Sequence, residues 1–517
     1  VSTHMFSDTI KVSGSPFTTE LFDASGFFNQ GINIKRSKLF ASKDVSLQGV
    51  GGFGIALLDG IDVQHSQLIS DQSLSMVGVG GQGENISSST GMIIHKNSTI
   101  QAPQLKMTGK GGTSRITEKP NNDGTYYNDG VSVVDSTIRS VQADPAVTSF
   151  QPESKLVIDG EGGLIESDLF VRGDLNSGVV FLDSTLRTDG STSITGLAGK
   201  PPKGNTNTGV EFGSNSKLMF ISPINNTDTE AFIFGKAYSG DDRNSGVRFK
   251  DSELHSSFDL TIVGDGAPDS TGVLNQGVRF KNGLVRVGGS RFASSNADER
   301  VVPSSLTGID RPLDQTKNLT IKGLGGGGQS DNSGISLKKT DAVVSGTILL
   351  EGKIRNQQWK NNPSVYANGT FLSAGENLIV DADYDAQFIS SNLNAGEDIL
   401  IRSKTLQLFD SSLNAGGEIS LQSEDILTDS TELTMGRSDE STDSDSTSEQ
   451  ATDVTLSKNT GLSTRTLTLD EIVQHIINEE RLSMDRLSKE LDLEKATPMG
   501  LSDIQDMLRR SIQMQRK

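Results

Sequence analysis

A three-phrase unit returns along most of the chain, and it limits the possible folds more than any other feature. One copy reads Asn244-Ser245-Gly246-Val247-Arg248-Phe249, then Asp251-Ser252-Glu253-Leu254, then Leu260-Thr261-Ile262-Val263-Gly264-Asp265-Gly266. The same phrases stand at Asn176–Phe181, Asp183–Leu186 and Ser193–Gly196, and at Asp129–Val133, Asp135–Ile138 and Leu156–Gly160. Further copies are read as starting at Gly31, Gly54 and Gly91, and at Gly209, Gly277 and Gly334. Within each phrase apolar and polar residues alternate, the pattern of a strand with one buried face. Internal repeats of this length mean stacked architectures, in which each unit buries its apolar face only against its neighbours. Three short strands per unit, parted by Gly, Asn, Asp or Ser, predict one three-sided coil of a β-helix.

The spacing supports this reading. From the leading Gly to the Ser of the second phrase is six residues in the copies at Gly31, Gly130, Gly178 and Gly246, whereas the step from one leading Gly to the next runs from 23 to 57. The first corner is therefore fixed and the last connection elastic, so strands keep register while insertions bulge outward. Val179, Phe181, Leu186 and Ile194 are expected in a slim core. The leading Gly is expected either to take a positive-φ corner or to allow close backbone approach. The corners Asn97-Ser98, Asp183-Ser184 and Asn215-Ser216 are expected to bond their own backbone and to stack into polar ladders. From residue 374 the unit shortens: Ala374-Gly375, Ala395-Gly396 and Ala415-Gly416 follow at steps of 21 and 20, the same coil without its insertion.

Composition agrees. Apolar residues are 33% of the 517, aromatics 5%, and 56 are Gly, too little apolar bulk for the several wide cores this length would otherwise suggest. The absence of Cys removes disulfides, thiol catalysis and thiolate metal sites. A formal charge of −19 argues against nucleic acid or an anionic membrane as the main partner. No apolar run approaches the roughly 18 to 20 residues that span a bilayer. The fold class is thus all-β, a parallel β-helix (solenoid) with a short C-terminal α-helical module. Residues 1–24 are read as an N-terminal edge, fragment or cap, and 25–373 as coils with long insertions. Residues 374–436 are regular coils, 437–460 an acidic Ser/Thr-rich linker, and 461–517 the helical module.

Runs of Leu-Thr-Ile-x-Gly-x-Gly-Gly followed by Asn-x-Gly-Val-x-Phe, and the stretch Asn394-Ala395-Gly396-Glu397-Asp398-Ile399-Leu400-Ile401, resemble repeats of large exoproteins of the filamentous-haemagglutinin type. The resemblance covers roughly residues 25–436. It implies a right-handed β-helix, export from a bacterium through a dedicated outer-membrane partner pore, an extracellular or cell-surface location and an adhesin role. Members begin with a signal peptide and a secretion domain. Neither is visible here, so the chain is expected to be a fragment or processed piece of something longer.

In the helical module, Leu469, Ile472, Val473, Ile476 and Ile477 recur at helical spacing behind a Thr468 N-cap. Leu482, Leu487 and Leu491 suggest a second helix, and Ile504, Met507, Leu508 and Ile512 a third. Ile472, Ile476, Leu487, Leu491, Ile504 and Leu508 are the expected docking residues, facing a partner or a second copy. A helix-turn-helix is the runner-up for this segment alone, and its few basic residues speak against it.

Catalytic signals are sparse. The five His are scattered without ligand spacing, Gly323–Gly328 lacks the Lys and Ser/Thr of a phosphate loop, and no Ser sits in a nucleophile elbow. Asp135, Asp183 and Asp251 share one repeat position, which is what a structural ladder gives. No catalytic residue and no cofactor is expected, calcium excepted. Asp241 and Asp242, and Asp265 near Asp269, would offer hard oxygen ligands, although solvated loops are the plainer reading. Recognition is expected on the insertions, 113–128, 196–208, 222–231, 288–317 and 354–370. There Tyr126, Tyr127, Trp359 and Tyr366 either stack on sugars or a partner protein, or cover the flank of the coil. Three functions stay open: a non-enzymatic surface fibre or adhesin, a carbohydrate-active β-helix enzyme such as a lyase or glycosidase, and a component of a larger assembly bound through its helices.

Overall fold

A computed structural model describes residues 4–14, 29–54, 57–84, 88–115, 128–141, 154–166, 176–199, 207–221, 229–238, 244–268, 272–288, 316–328, 330–355 and 362–435, with the backbone of 455–457. The chain divides into two units, Val1–Asn459 and Thr460–Lys517. The expected helical module, with Ile472, Ile476, Leu487, Leu491, Ile504 and Leu508, lies outside the described residues. Among the described residues no helix is long and apolar enough to cross a membrane.

The first unit is a parallel β-helix. Each coil contributes one strand to each of three faces, called A, B and C in chain order. The coil at Val179–Leu182, Thr185–Thr188 and Ser191–Leu197 is typical. Each strand pairs in parallel with its counterparts in the coils before and after, as in Val131↔Val179↔Val210 on face A and Ile158↔Ile194↔Ile233 on face C. Among the described residues, thirty-seven strands join one hydrogen-bonded network, because a few long strands turn a corner and belong to two faces. Lys38–Val50 runs from B into C, and Ile399–Phe409 from C into A.

Alternation along each strand sends every second side chain inward. Val179, Phe181, Leu186 and Ile194 are all at most 1% exposed, as expected. One core column on face A stacks Phe181, Phe212, Phe249 and Phe280 with ring centroids 5.4, 5.0 and 4.4 Å apart. Phe212 and Phe220 share a coil with Ala231, so a small residue on face C makes room for two rings.

Two backbone devices hold the register. The first is a glycine seam. Gly160, Gly196, Gly235 and Gly264 pair along face C. Each lies against the leading Gly of the next coil. A Cβ on Gly196 would fall 2.0 Å from the carbonyl oxygen of Gly209, and one on Gly264 2.0 Å from that of Gly277. Neither seam glycine has positive φ. Close approach, not a left-handed corner, is thus what the leading Gly supplies. The second device is the A-to-B corner. Asp135, Asp183 and Asp251 hold φ of 47, 49 and 51°, a left-handed turn that Asp tolerates. The next residue is the buried Ser. Ser184 Oγ donates to Leu182 O at 2.7 Å and accepts from the Ser136 N–H at 3.2 Å, while Ser184 N–H donates to Ser216 Oγ at 3.4 Å. The expected polar ladder is therefore present, and a second one, of buried Asn207, Asn244, Asn275, Asn332 and Asn362, passes backbone N–H to side-chain oxygen from coil to coil.

Some sequence readings need correction. The second face-A copy starts at Gly60, not Gly54: Ile32 pairs with Ile61, and Gly60 sits six residues before Ser66 as the corner requires. The β-helix begins earlier than residue 25, since His4–Gly14 pairs with Lys38–Gly49 across faces B and C. Within the segment read as linker, Thr455–Ser457 pairs with Ser420–Gln422. Finally, the elastic connection is not one corner but two. The A-to-B corner stays short throughout, whereas long segments leave both the C-to-A corner (116–127) and the B-to-C corner (142–153, 289–315). The shortened coils behave as expected, with Phe371, Asn392, Ser412 and Glu432 in one register.

Gly196→Ala is expected to cost at least about 3 kcal/mol, because the new methyl meets a carbonyl that cannot move without shifting a coil. Gly283→Ala, whose nearest neighbour is a Phe280 ring carbon at 3.3 Å, should cost under about 1 kcal/mol. Denaturant unfolding of both variants checks the contrast. Phe249→Ala should cost about 3–5 kcal/mol by the same measurement.

Candidate functional site

Of the candidate binding and metal-ligating residues named from sequence, the structure describes two, Tyr366 and Asp265. Tyr126, Tyr127, Trp359, Asp241, Asp242 and Asp269 lie outside the described residues. Tyr366 stands on face A, where period-two alternation turns it away from the core. Lys338 Nζ sits 5.1 Å from its ring centroid, and Asn368 Nδ2 donates to its hydroxyl at 3.0 Å. The ring is thus held by the strand before it and by its own strand, and it belongs to the coil's flank.

Asp265 is committed differently from a calcium ligand. It is buried at the end of a face-C strand. Arg355 Nη2 reaches it from two coils further on at 2.6 Å, and Lys236 Nζ approaches from the preceding coil at 3.5 Å. Arg355 Nη1 also donates to Gly266 O at 2.5 Å. Two cations already neutralise this carboxylate and would repel a third, so Asp265 works as a clamp across coils. Among the described residues, no three acidic or His side chains converge as a metal site.

The outward positions of face A carry polar groups that sequence reading missed. Asp62 receives His95 Nε2 at 2.9 Å, Gln30 Nε2 at 2.8 Å and Gln64 Nε2 at 3.2 Å. Asp59 takes Ser88 Oγ at 2.9 Å, the Thr90 N–H at 3.0 Å and Gln30 Nε2 at 3.3 Å. Burial nevertheless raises the Asp59 carboxyl above the usual range, outweighing those donors, and the Asp62 charge adds to the rise. A carboxylate beside an imidazole can orient it for proton transfer. Here the Asp62 oxygens are engaged by amides and ring, and the group forms a buried network on the first three coils.

Further along the face, Glu211 pairs with Arg248 at 3.4 Å. Asp129 stands at the repeat position of Asp59, one residue before its leading Gly, and is fully buried, with its Oδ1 accepting the Ser177 N–H at 2.9 Å. Desolvation lifts its pKa to about 8, and the Glu211 charge contributes to the rise. Asp129 therefore carries a proton at neutral pH, where most other coils place Ser or Thr at this repeat position. A local departure from the repeat is the signal that could have found Asp59, Asp62 and Asp129. Their partners, however, lie a full coil away in sequence.

Because the folded-state pKa of Asp129 is raised, its contribution favours folding fully below the unfolded pKa near 4 and is lost as pH climbs toward 8. The cost is on the order of 4 kcal/mol at pH 7. Asp129→Asn keeps the acceptor for Ser177 and removes the titration. It is expected to be more stable than the parent at pH 7, with the difference shrinking toward pH 4, as read by denaturant midpoints across that range.

Compared with protein-family models, curated proteins and solved structures, the chain finds no match.

Proposed function

We propose that the chain is a non-enzymatic, adhesin-like surface or secreted protein, in which a stiff β-helix presents inserted segments to proteins or surface polysaccharide. One observation carries this reading: coils stay in register along three faces while the long segments are confined to two corners. Such a scaffold separates stability from recognition. Its stacked strands cannot vary without loss of register, and its corner insertions vary at small entropic cost. Export from a bacterium through an outer-membrane pore, and docking or self-association through 461–517, belong to the same proposal. They rest on the resemblance of the repeats and on the helical spacing near the C-terminus.

A carbohydrate-active enzyme is the second reading, favoured by the Asp62–His95 pair. The burial of Asp59 and Asp62 and their engagement in one network with Gln30, Gln64, Ser88 and His95 weigh against it.

Replacing 289–315 with a short Gly-Ser connector is expected to leave the β circular-dichroism spectrum intact and shift the melting temperature by only a few degrees, while binding to a glycan or cell-surface array falls. Unchanged binding after replacement of this insertion and of 116–127 and 142–153 would refute the scaffold reading. Shortening of an acidic polysaccharide, read by viscosity and abolished by Asp62→Asn, would favour the enzyme instead. Deletion of 461–517 should spare the coil's unfolding transition and remove co-elution with any assembly.

A further inference from the structure

We infer that the A-to-B corner of the first coils binds a sulfate or phosphate group. A cavity of about 350 Å³ lies there, and its lining includes Arg36, Lys38, His65, His4, Gln67 and Asn97. No carboxylate lines it, in a chain whose formal charge is −19. Acids around it are engaged, Asp62 with His95 and the amides of Gln30 and Gln64, and Asp8 with Lys43 at 3.7 Å, while Asp135 holds the same corner one coil beyond Asn97.

The corner itself supplies a second, independent observation. Its left-handed turn suits Asp and Asn, whose short polar side chains bond locally. Later coils use Asp135, Asp183, Asp251, Asn282 and Asp410 there, with Lys339, Ser390 and Ser430 as the departures. The first two coils instead hold Arg36 at φ 49° and His65 at 51°, residues with no such local compensation, and the third holds Lys96 and Asn97, both at 58°. Strained backbone under a functional side chain is characteristic of ligand-binding positions. The ladder sets these residues one above another: Arg36 N–H donates to Gln64 O at 3.0 Å, and His65 N–H to His95 O at 3.4 Å. Successive coils are about 4.8 Å apart, so the Arg36 and His65 side chains stand one coil apart along one edge, beside Lys38. The Ser hydroxyls beneath are taken, Ser37 Oγ by Lys35 O at 2.9 Å and Ser66 Oγ by Gln64 O at 2.8 Å. Recognition therefore falls to the Arg36 fork, the Lys38 ammonium, the His4 and His65 ring N–H groups and the Gln67 and Asn97 amides. Donors arriving from several coils fit an anion with three or more acceptor oxygens better than a planar carboxylate, and an Arg fork matches such oxygens two at a time.

Titration calorimetry of the full chain at low ionic strength tests this, with inorganic sulfate, inorganic phosphate, galactose 6-sulfate and glucose 6-phosphate as probes. Saturable one-to-one binding of at least one probe is expected. The double variant Arg36→Asn/His65→Asn should weaken it at least tenfold with an equal or higher melting temperature, since Asn relieves the corner. Lys339→Asn, at φ 50° on a distant coil, should leave it unchanged. Binding of the sugar esters at least as tight as the inorganic ions would assign the group to a larger molecule, and binding of the inorganic ions alone would assign a free ion. Absence of saturable binding for all four probes, unchanged affinity in the double variant, or an equal loss in Lys339→Asn would overturn the inference.

Discussion

The backbone approach at the glycine seam is the contact on which the coil depends. Each turn must climb by one strand spacing as it passes from face C to the next face A. At that step two chains come so close that a Cβ would meet a carbonyl oxygen at about 2 Å, as at Gly160 against Gly178. Gly is demanded for space and not for handedness, which separates the seam from the left-handed A-to-B corner. Where coils shorten, the demand fades. Gly352 abuts Ser364 and pairs with Ala382, and in the following coils strands run straight from C into A.

Around this seam the polar ladders solve the remaining problem of a thin core. A corner turned inside a stack hides N–H and carbonyl groups that water cannot reach, and each unpaired one would cost about 1–3 kcal/mol. Ser66, Ser98, Ser136, Ser184 and Ser216 answer this by bonding both their own coil and a neighbour. The same columns couple adjacent turns, so a change at one corner is felt in the next. Charged groups are treated likewise. Asp265 is clamped by Lys236 and Arg355, while Glu351 is held below its usual range by Lys322 and Lys353, whose hydrogen bonds and charges outweigh burial.

The fold was legible because the interactions that define it repeat. Alternation marked the strands, and the constant Gly-to-Ser spacing marked the fixed corner. The choice of Gly54 over Gly60 failed because a Gly-rich insertion imitates the leading phrase, and only stacking distinguishes them. His4–Gly14 was missed because it carries faces B and C without the leading phrase. The polar groups were less legible for a different reason. Asp62 meets His95 across 33 residues and Asp265 meets Arg355 across 90, so connection lengths, not motifs, decide their partners. Asp265 read as an oxygen ligand because its cations were out of sight. Tyr366 was placed on an insertion, and its strand instead continues the period-two pattern of face A.

In-register stacking of successive coils can be measured directly, because the chain has no Cys. Thr261 and Thr320 are 59 residues apart in sequence, yet they pair on face C with both side chains turned outward. Parallel neighbours at about 4.8 Å fall within the Cα range of a disulfide. Oxidation of a Thr261→Cys/Thr320→Cys variant should give a crosslinked band on a non-reducing gel. The one-residue slip, Thr261→Cys/Ile321→Cys, turns one thiol into the core and should not crosslink. Equal crosslinking of the two variants, or none in the first, would contradict the stacked register.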